Sequence, residues 1–214
     1  MDKKLNHYDV EEVLETFDIQ LIDDCQILDA WVNAAPSDLM PLDKLLLDEL
    51  PLELRQNERN WNEEELKMKF ISPVFRVARL YERHKIDVFY ERSMSGVVRE
   101  IKISLILDCM VATPKNSGRP ASPYFFLQEY KRSKGDSHDP EGQMLAAMIL
   151  AQDMNHDGHP MYGCWLQGKN WYFTVLNGVE YCVSRQFDAT QERDLLQIVF
   201  ILRKLKALIL ARLT

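Results

Sequence analysis

Two apolar runs in this chain carry charges that could do hydrolytic chemistry. The first, Ile103-Ser104-Leu105-Ile106-Leu107-Asp108-Cys109-Met110-Val111, holds one acid, Asp108. The second, Tyr124-Phe125-Phe126-Leu127-Gln128-Glu129-Tyr130-Lys131, ends in Glu-x-Lys. Charges set into strand-like apolar runs are costly to bury without a partner or a bound ion. Residues two apart on a strand share a face, so Glu129 and Lys131 project together. If the two runs are neighbouring strands, Asp108 joins them, and two carboxylates meet one ammonium. Two carboxylates suit Mg²⁺ or Mn²⁺, hard ions that take oxygen ligands and keep several waters. Such an ion acidifies a bound water and offsets charge on a phosphoryl group, while a nearby lysine stabilises the phosphate oxygens. The chemistry expected is metal-assisted hydrolysis of a phosphodiester. The same spacing also fits a solvent-facing strand edge with an acid that caps a turn.

The surrounding pattern says what positions these residues. Asn62 followed by Glu63-Glu64-Glu65 opens a helix expected to run to about Arg83, with Pro73 as a kink. Strands are expected at Ile86 to Glu91 and Val97 to Thr113, around a turn at Ser93 to Gly96. A loop at Pro114 to Pro123 leads into the Glu-x-Lys strand. Glu141 to Met154 reads as a helix. Strands follow at Met161 to Gln167, Trp171 to Leu176 and Val179 to Ser184, with Asn177-Gly178 as a type I′ turn. A helix over 190–213 closes the chain. The class is α/β: a mixed sheet flanked by helices. Residues 1–60 are leucine-rich and acidic, punctuated by Pro36, Pro41 and Pro51. They read as a helical N-terminal extension to a domain over 61–214, and as the candidate surface for a second copy or a protein partner.

Composition sets the outer bounds. The 214 residues are 46% hydrophobic and 28% charged, which is globular, and carry a net charge of −7. An acidic chain is a poor general binder of phosphate, so any nucleic-acid contact must come from a local basic groove. Lys115, Arg119, Arg132 and Lys134 are the candidates near the acids, with Arg203, Lys204, Lys206 and Arg212 on the last helix. Cys25, Cys109, Cys164 and Cys182 form no C-x-x-C pair, which speaks against a zinc knuckle and fits a reducing compartment. The polar start is unlike a secretory leader, and no apolar run reaches the ~18 residues of a membrane span. A cytoplasmic protein with no membrane contact is expected.

At the residue level the chain resembles the PD-(D/E)xK nuclease superfamily. Asp108, a gap of twenty residues, and Glu129-Tyr130-Lys131 carry the likeness. Glu65-Leu66-Lys67-Met68-Lys69-Phe70-Ile71-Ser72-Pro73 is similar to the helix that opens the N-terminal nuclease domain of type I restriction enzyme R subunits. Trp61 to Leu66 and Asp139-Pro140-Glu141-Gly142-Gln143 look like a compact bacterial group with this domain. The resemblance covers roughly residues 60–210 and implies a restriction-endonuclease-like fold. It implies Asp108 and Glu129 as metal ligands and Lys131 as the catalytic lysine. Glu65 would orient the attacking water, and Gln143 would position Lys131 or the substrate backbone. The implied activity is Mg²⁺-dependent cleavage of DNA or RNA, with DNA the leading partner. Leu107 stands where the family has proline, and no G-x-x-x-x-G-K-[ST] motor motif occurs. The alternative is a catalytically inactive nuclease-fold module that binds nucleic acid or a protein.

Other motifs carry less. Asp153-x-Asn155-x-Asp157-Gly158 imitates the start of a calcium loop, but Cys164 stands where a glutamate is needed, so a turn is expected. His156-x-x-His159 in that loop is a weak zinc pattern, and Ser95-Gly96 lacks a nucleophile-elbow context. Trp165, Trp171, Tyr172 and Phe173 read first as core aromatics and second as a base-stacking surface.

Overall fold

The computed structural model describes residues 8–131 and 139–214, and the backbone of residues 3–4. A nine-stranded mixed sheet forms the centre. Its three long strands are β3 (Asp87–Val98), β4 (Ile101–Pro114) and β5 (Pro120–Lys131), a continuous antiparallel meander. Helix α6 (Pro140–Asn155) crosses over to β6 (Met161–Gln167), which runs parallel to β5. β7 (Asn170–Asn177) and β8 (Glu180–Val183) continue as hairpins, and β9 (Phe187–Asp188) adds to β7. β1 (Lys3–Lys4) pairs with β4, and β2 (Gln20–Leu21) pairs with β8, so the N-terminal extension touches both sides of the sheet. Among the described residues no helix is long and apolar enough to cross a membrane.

Two layers of helix cover the faces. α1 (Val10–Thr16) and α6 pack on one, around Val13, Phe17, Met144, Leu145 and Met148. α2 (Gln26–Val32), α3 (Pro41–Asn57), α5 (Ser72–Ala78) and α7 (Glu192–Arg212) pack on the other. The extension is part of both cores. Trp31 of α2 is 1% exposed, donates its indole N–H to the Ile201 carbonyl at 3.0 Å, and meets Phe126, Tyr162 and Phe173 edge-on.

Several boundaries differ from the pattern-based expectation, each for a physical reason. The turn expected at Ser93 to Gly96 lies instead at Arg99-Glu100, both with positive φ. Gly96 is a strand residue whose missing side chain makes room: a Cβ there would lie 2.7 Å from Leu150 Cδ1. The helix after Asn62 stops at Ala78, where Arg79 turns left-handed. Within it, α4 (Glu63–Leu66) gives way to a π turn at Lys67–Ile71 before α5 begins. Pro73 lacks an N–H and crowds the carbonyl four residues back, and the Ser72 N–H reaches the wider-spaced Lys67 carbonyl. The last hairpin is shifted by one residue: its loop is Gly178-Val179, and of the two only Gly178 has positive φ, the type II′ requirement rather than I′.

Candidate active site

The acid pair is made by a kink. β3 and β4 pair in one register, Tyr90 opposite Cys109 and Arg92 opposite Leu107. Between them Glu91 adopts φ 51°, and the alternation of faces reverses on both strands. Phe89 and Met94 both pack toward α6, as do Leu107 and Met110, while Tyr90 and Cys109 pack the other way. A left-handed residue inside a strand re-aims the side chains around it. The side chain at the reversal on β4 is Asp108.

β5 brings the rest. Its pairing with β4 ends with Cys109 opposite Gln128, and Asp108 and Glu129 are the next residues on the two strands. The Asp108 Oδ2 accepts the Tyr130 N–H at 2.9 Å. The two carboxyls also lie within hydrogen-bonding reach of each other. Glu129 is 3% exposed. Burial and the Asp108 charge push its carboxyl well above the ordinary range. Burial raises Asp108 too, against the pull of the Tyr130 N–H, Glu129 and Lys131. Lys131, at the end of β5, reaches Glu63 Oε1 at 3.4 Å.

The first turn of α4 supplies acids, though not the one expected. Glu65 is the third residue of a capping box: its carboxylate accepts the Asn62 N–H at 3.1 Å, and its own N–H donates to the Asn62 side chain at 2.8 Å. It also pairs with Lys69 at 3.1 Å. These bonds aim it along its own helix, and Glu63 meets Lys131 instead. Glu64 and Glu91 both bind Lys67, the latter at 2.8 Å, and Lys67 is 6% exposed. Burial pulls its ammonium down, but the two carboxylates outweigh that and hold it above its usual value. Sequence reading missed Glu63, Lys67 and Glu91. Only Glu63 had a signal, its place in the acidic first turn.

Gln143 lies in the first turns of α6, with its Oε1 buried and without a hydrogen-bond partner. The motif around it is structural. Asp139 caps α6 through the Glu141 N–H at 2.9 Å and takes the Val10 N–H of α1 at 2.8 Å. Two of the basic candidates lie elsewhere: Lys115 and Arg119 close the β4–β5 hairpin at its far end, about 20–25 Å along β4 from Asp108. Arg132 and Lys134 lie outside the described residues. The cations of α7 are used internally: Arg203 on Asp43 and the Val77 carbonyl, Lys204 on the Ala30 carbonyl, Lys206 on Glu82, Arg212 on Asp157.

The remaining motifs resolve as packing. α6 runs through Asn155, whose side chain bonds both backbone groups of Tyr124, and His156 turns left-handed. Asp157 then caps the His159 N–H at 3.2 Å, so the calcium-like stretch is a helix end and a turn. Trp171 and Phe173 are core, while Trp165 and Tyr172 stack face to face at 3.9 Å on the α6 side.

The donor set at Asp108 and Glu129 fits a hard divalent cation. Both groups are carboxyls, and a hard ion would offset the burial and mutual repulsion that raise them. Among the described residues no group of three or more His, Cys, Asp or Glu is arranged to hold an ion, so water and substrate oxygens would complete the shell. A comparison of the chain with family models and with curated proteins finds no match for either.

Proposed function

We propose that this chain is a metal-dependent nuclease acting on phosphodiester bonds of nucleic acid, DNA first. The observation that carries the reading is the buried Asp108–Glu129 carboxyl pair with Lys131 two residues on. Nothing in packing calls for two acids in contact inside a sheet; each is costly to bury, and together they repel. Asp108 and Glu129 would hold Mg²⁺ or Mn²⁺, which when bound supplies Lewis-acid polarisation and acidifies water. Lys131 presents its ammonium beside them to phosphate oxygens, and Glu63 orients that ammonium and accepts a proton from the attacking water. The resemblance to the PD-(D/E)xK nucleases supports the same assignment for Asp108, Glu129 and Lys131.

The test is direct. Wild type and Lys131→Ala are incubated with supercoiled plasmid, linear duplex, single-stranded DNA and RNA, with Mn²⁺ or Mg²⁺ and with EDTA. Cleavage that needs metal and disappears in the variant supports the reading and names the substrate. If wild type cuts none of them but binds one, the chain is an inactive binding module and the nuclease reading is lost.

A further inference from the structure

Cys25 and Cys182 lie far apart in sequence and side by side in the fold. Cys25 is the N-cap of α2, in the extension; Cys182 is in β8, near the sheet edge. β2 pairs parallel with β8, Leu21 beside Tyr181, and the Ile22 N–H continues the pairing to the Tyr181 carbonyl at 2.9 Å. Three residues on, Cys25 enters the same buried cluster as Cys182, and the two thiols are near enough to perturb each other. Cys25 Sγ accepts the Leu28 N–H at 3.4 Å, and the Cys182 thiol donates to the Val175 carbonyl at 3.6 Å. Both are free thiols, 8% and 1% exposed. A groove lined by Asp23, Leu28, Asp29 and Val183 runs alongside. Cys109 and Cys164 offer no such pair. Each is in register with Gln128 of the intervening β5, which sets their Cα atoms about 9–10 Å apart, beyond the ~7 Å a disulfide spans.

We propose that Cys25 and Cys182 form a reversible disulfide, with hydrogen peroxide as oxidant, that fastens the N-terminal extension to the sheet. Cys25, the more exposed, reacts first. Its sulphur attacks one peroxide oxygen, the O–O bond breaks, and the departing oxygen leaves as water with the thiol proton, giving a sulfenic acid. The Cys182 sulphur attacks that sulphur, the S–O bond breaks, and a second water leaves with the Cys182 proton. Two thiols lose two electrons, and the peroxide gains them. A dithiol reductant reverses the step by thiol–disulfide exchange. β2 is only two residues long, so the bond would add a covalent anchor where the backbone pairing is short. It would also close a long loop in the unfolded chain, raising Tm by about 5–15 °C.

The experiment treats the full chain with hydrogen peroxide, alkylates remaining thiols in denaturant, and maps peptides by mass spectrometry alongside thermal unfolding. The expected result is a Cys25–Cys182 linked peptide and a Tm rise that dithiothreitol reverses, with both lost in Cys25→Ala and in Cys182→Ala. The wild-type map alone decides if a variant fails to fold. The proposal is overturned if both cysteines remain alkylatable, if Cys25 is oxidised without a link, if the link joins another cysteine, or if Tm does not move.

Discussion

The Asp108 carboxyl accepts the Tyr130 N–H at 2.9 Å. The β4–β5 pairing ends one rung earlier, at Cys109 opposite Gln128. Asp108 thus occupies the place where the next rung of the ladder would fall, and its side chain takes over part of the backbone's hydrogen bonding there. Beside it the Glu129 carboxyl is buried, at a cost in stability.

That cost has a pH signature. Burial and the Asp108 charge raise the Glu129 carboxyl well above its unfolded value, so the folded chain holds a proton that the unfolded chain has released. Stability therefore falls as pH rises from the ordinary glutamate range toward the folded value. In EDTA, wild-type Tm should decline across that window, and Glu129→Gln should flatten the decline. At pH 7 the variant should be the more stable, by about 2–4 °C for each kcal/mol recovered. A Glu129→Gln protein with the wild-type pH profile would show that the proton does not sit on this pair.

Glu63 and Glu65 can be told apart. Glu65 closes the capping box and pairs with Lys69, whereas Glu63 meets Lys131. Glu65→Gln keeps most of the cap, and Glu65→Ala should lower Tm slightly by removing one arm of the capping box. Both should leave nuclease turnover within about twofold. Glu63→Gln should change stability little and lower turnover at least tenfold, within the range of positioned acid–base groups. The reverse pattern, with Glu65 controlling turnover, would return the role to the residue that the sequence resemblance points to.

The fold was legible where periodicity was strong. The α6 crossover, the terminal helix and the β6–β7 hairpin follow from apolar spacing and glycine turns. The β3–β4 turn was not, because Arg99 and Glu100 adopt positive φ without the glycine or asparagine that announces it. Asp108, Glu129 and Lys131 were legible as charges inside apolar runs. Glu91 and Lys67 were not: one depends on a strand kink, the other on a π turn, and neither leaves a residue pattern. For Lys115 and Arg119, nearness to Asp108 in sequence is not nearness in space. Lys115 and Arg119 follow Asp108 closely, but the hairpin carries them away from it.

Trp31 anchors the extension. It is buried under α7 and β7, makes three edge-on aromatic contacts and donates one buried hydrogen bond. Trp31→Ala should destabilise the whole protein by about 3–5 kcal/mol in a single denaturant transition. Trp31→Phe keeps much of the packing and should cost less, because the Ile201 carbonyl, in the middle of α7, keeps its intrahelical partner when the indole N–H is lost. A second transition appearing in Trp31→Ala, with the main one unmoved, would mean that residues 1–60 unfold separately from the sheet.

Gly142 tests how tightly α1 sits on α6. A glycine inside a helix normally gains about 1 kcal/mol on replacement by alanine. Here a Cβ would fall 1.9 Å from the Tyr8 carbonyl oxygen and 2.6 Å from the Val10 nitrogen, both backbone atoms. The N-terminus of α1 would have to move, and with it the Val10 N–H bond to Asp139. Gly142→Ala should therefore destabilise, by about 1–3 kcal/mol as overpacking does, despite the better helix former. Hydrogen exchange locates the damage: the amides of α1 should lose protection while those in the middle of α6 keep theirs. Asp139→Ala, which removes the shared cap without adding bulk, should show the same loss at α1 together with fraying at the start of α6. A stabilised Gly142→Ala would mean that α1 is loosely held, and that the close approach of Tyr8 to α6 is not maintained in solution.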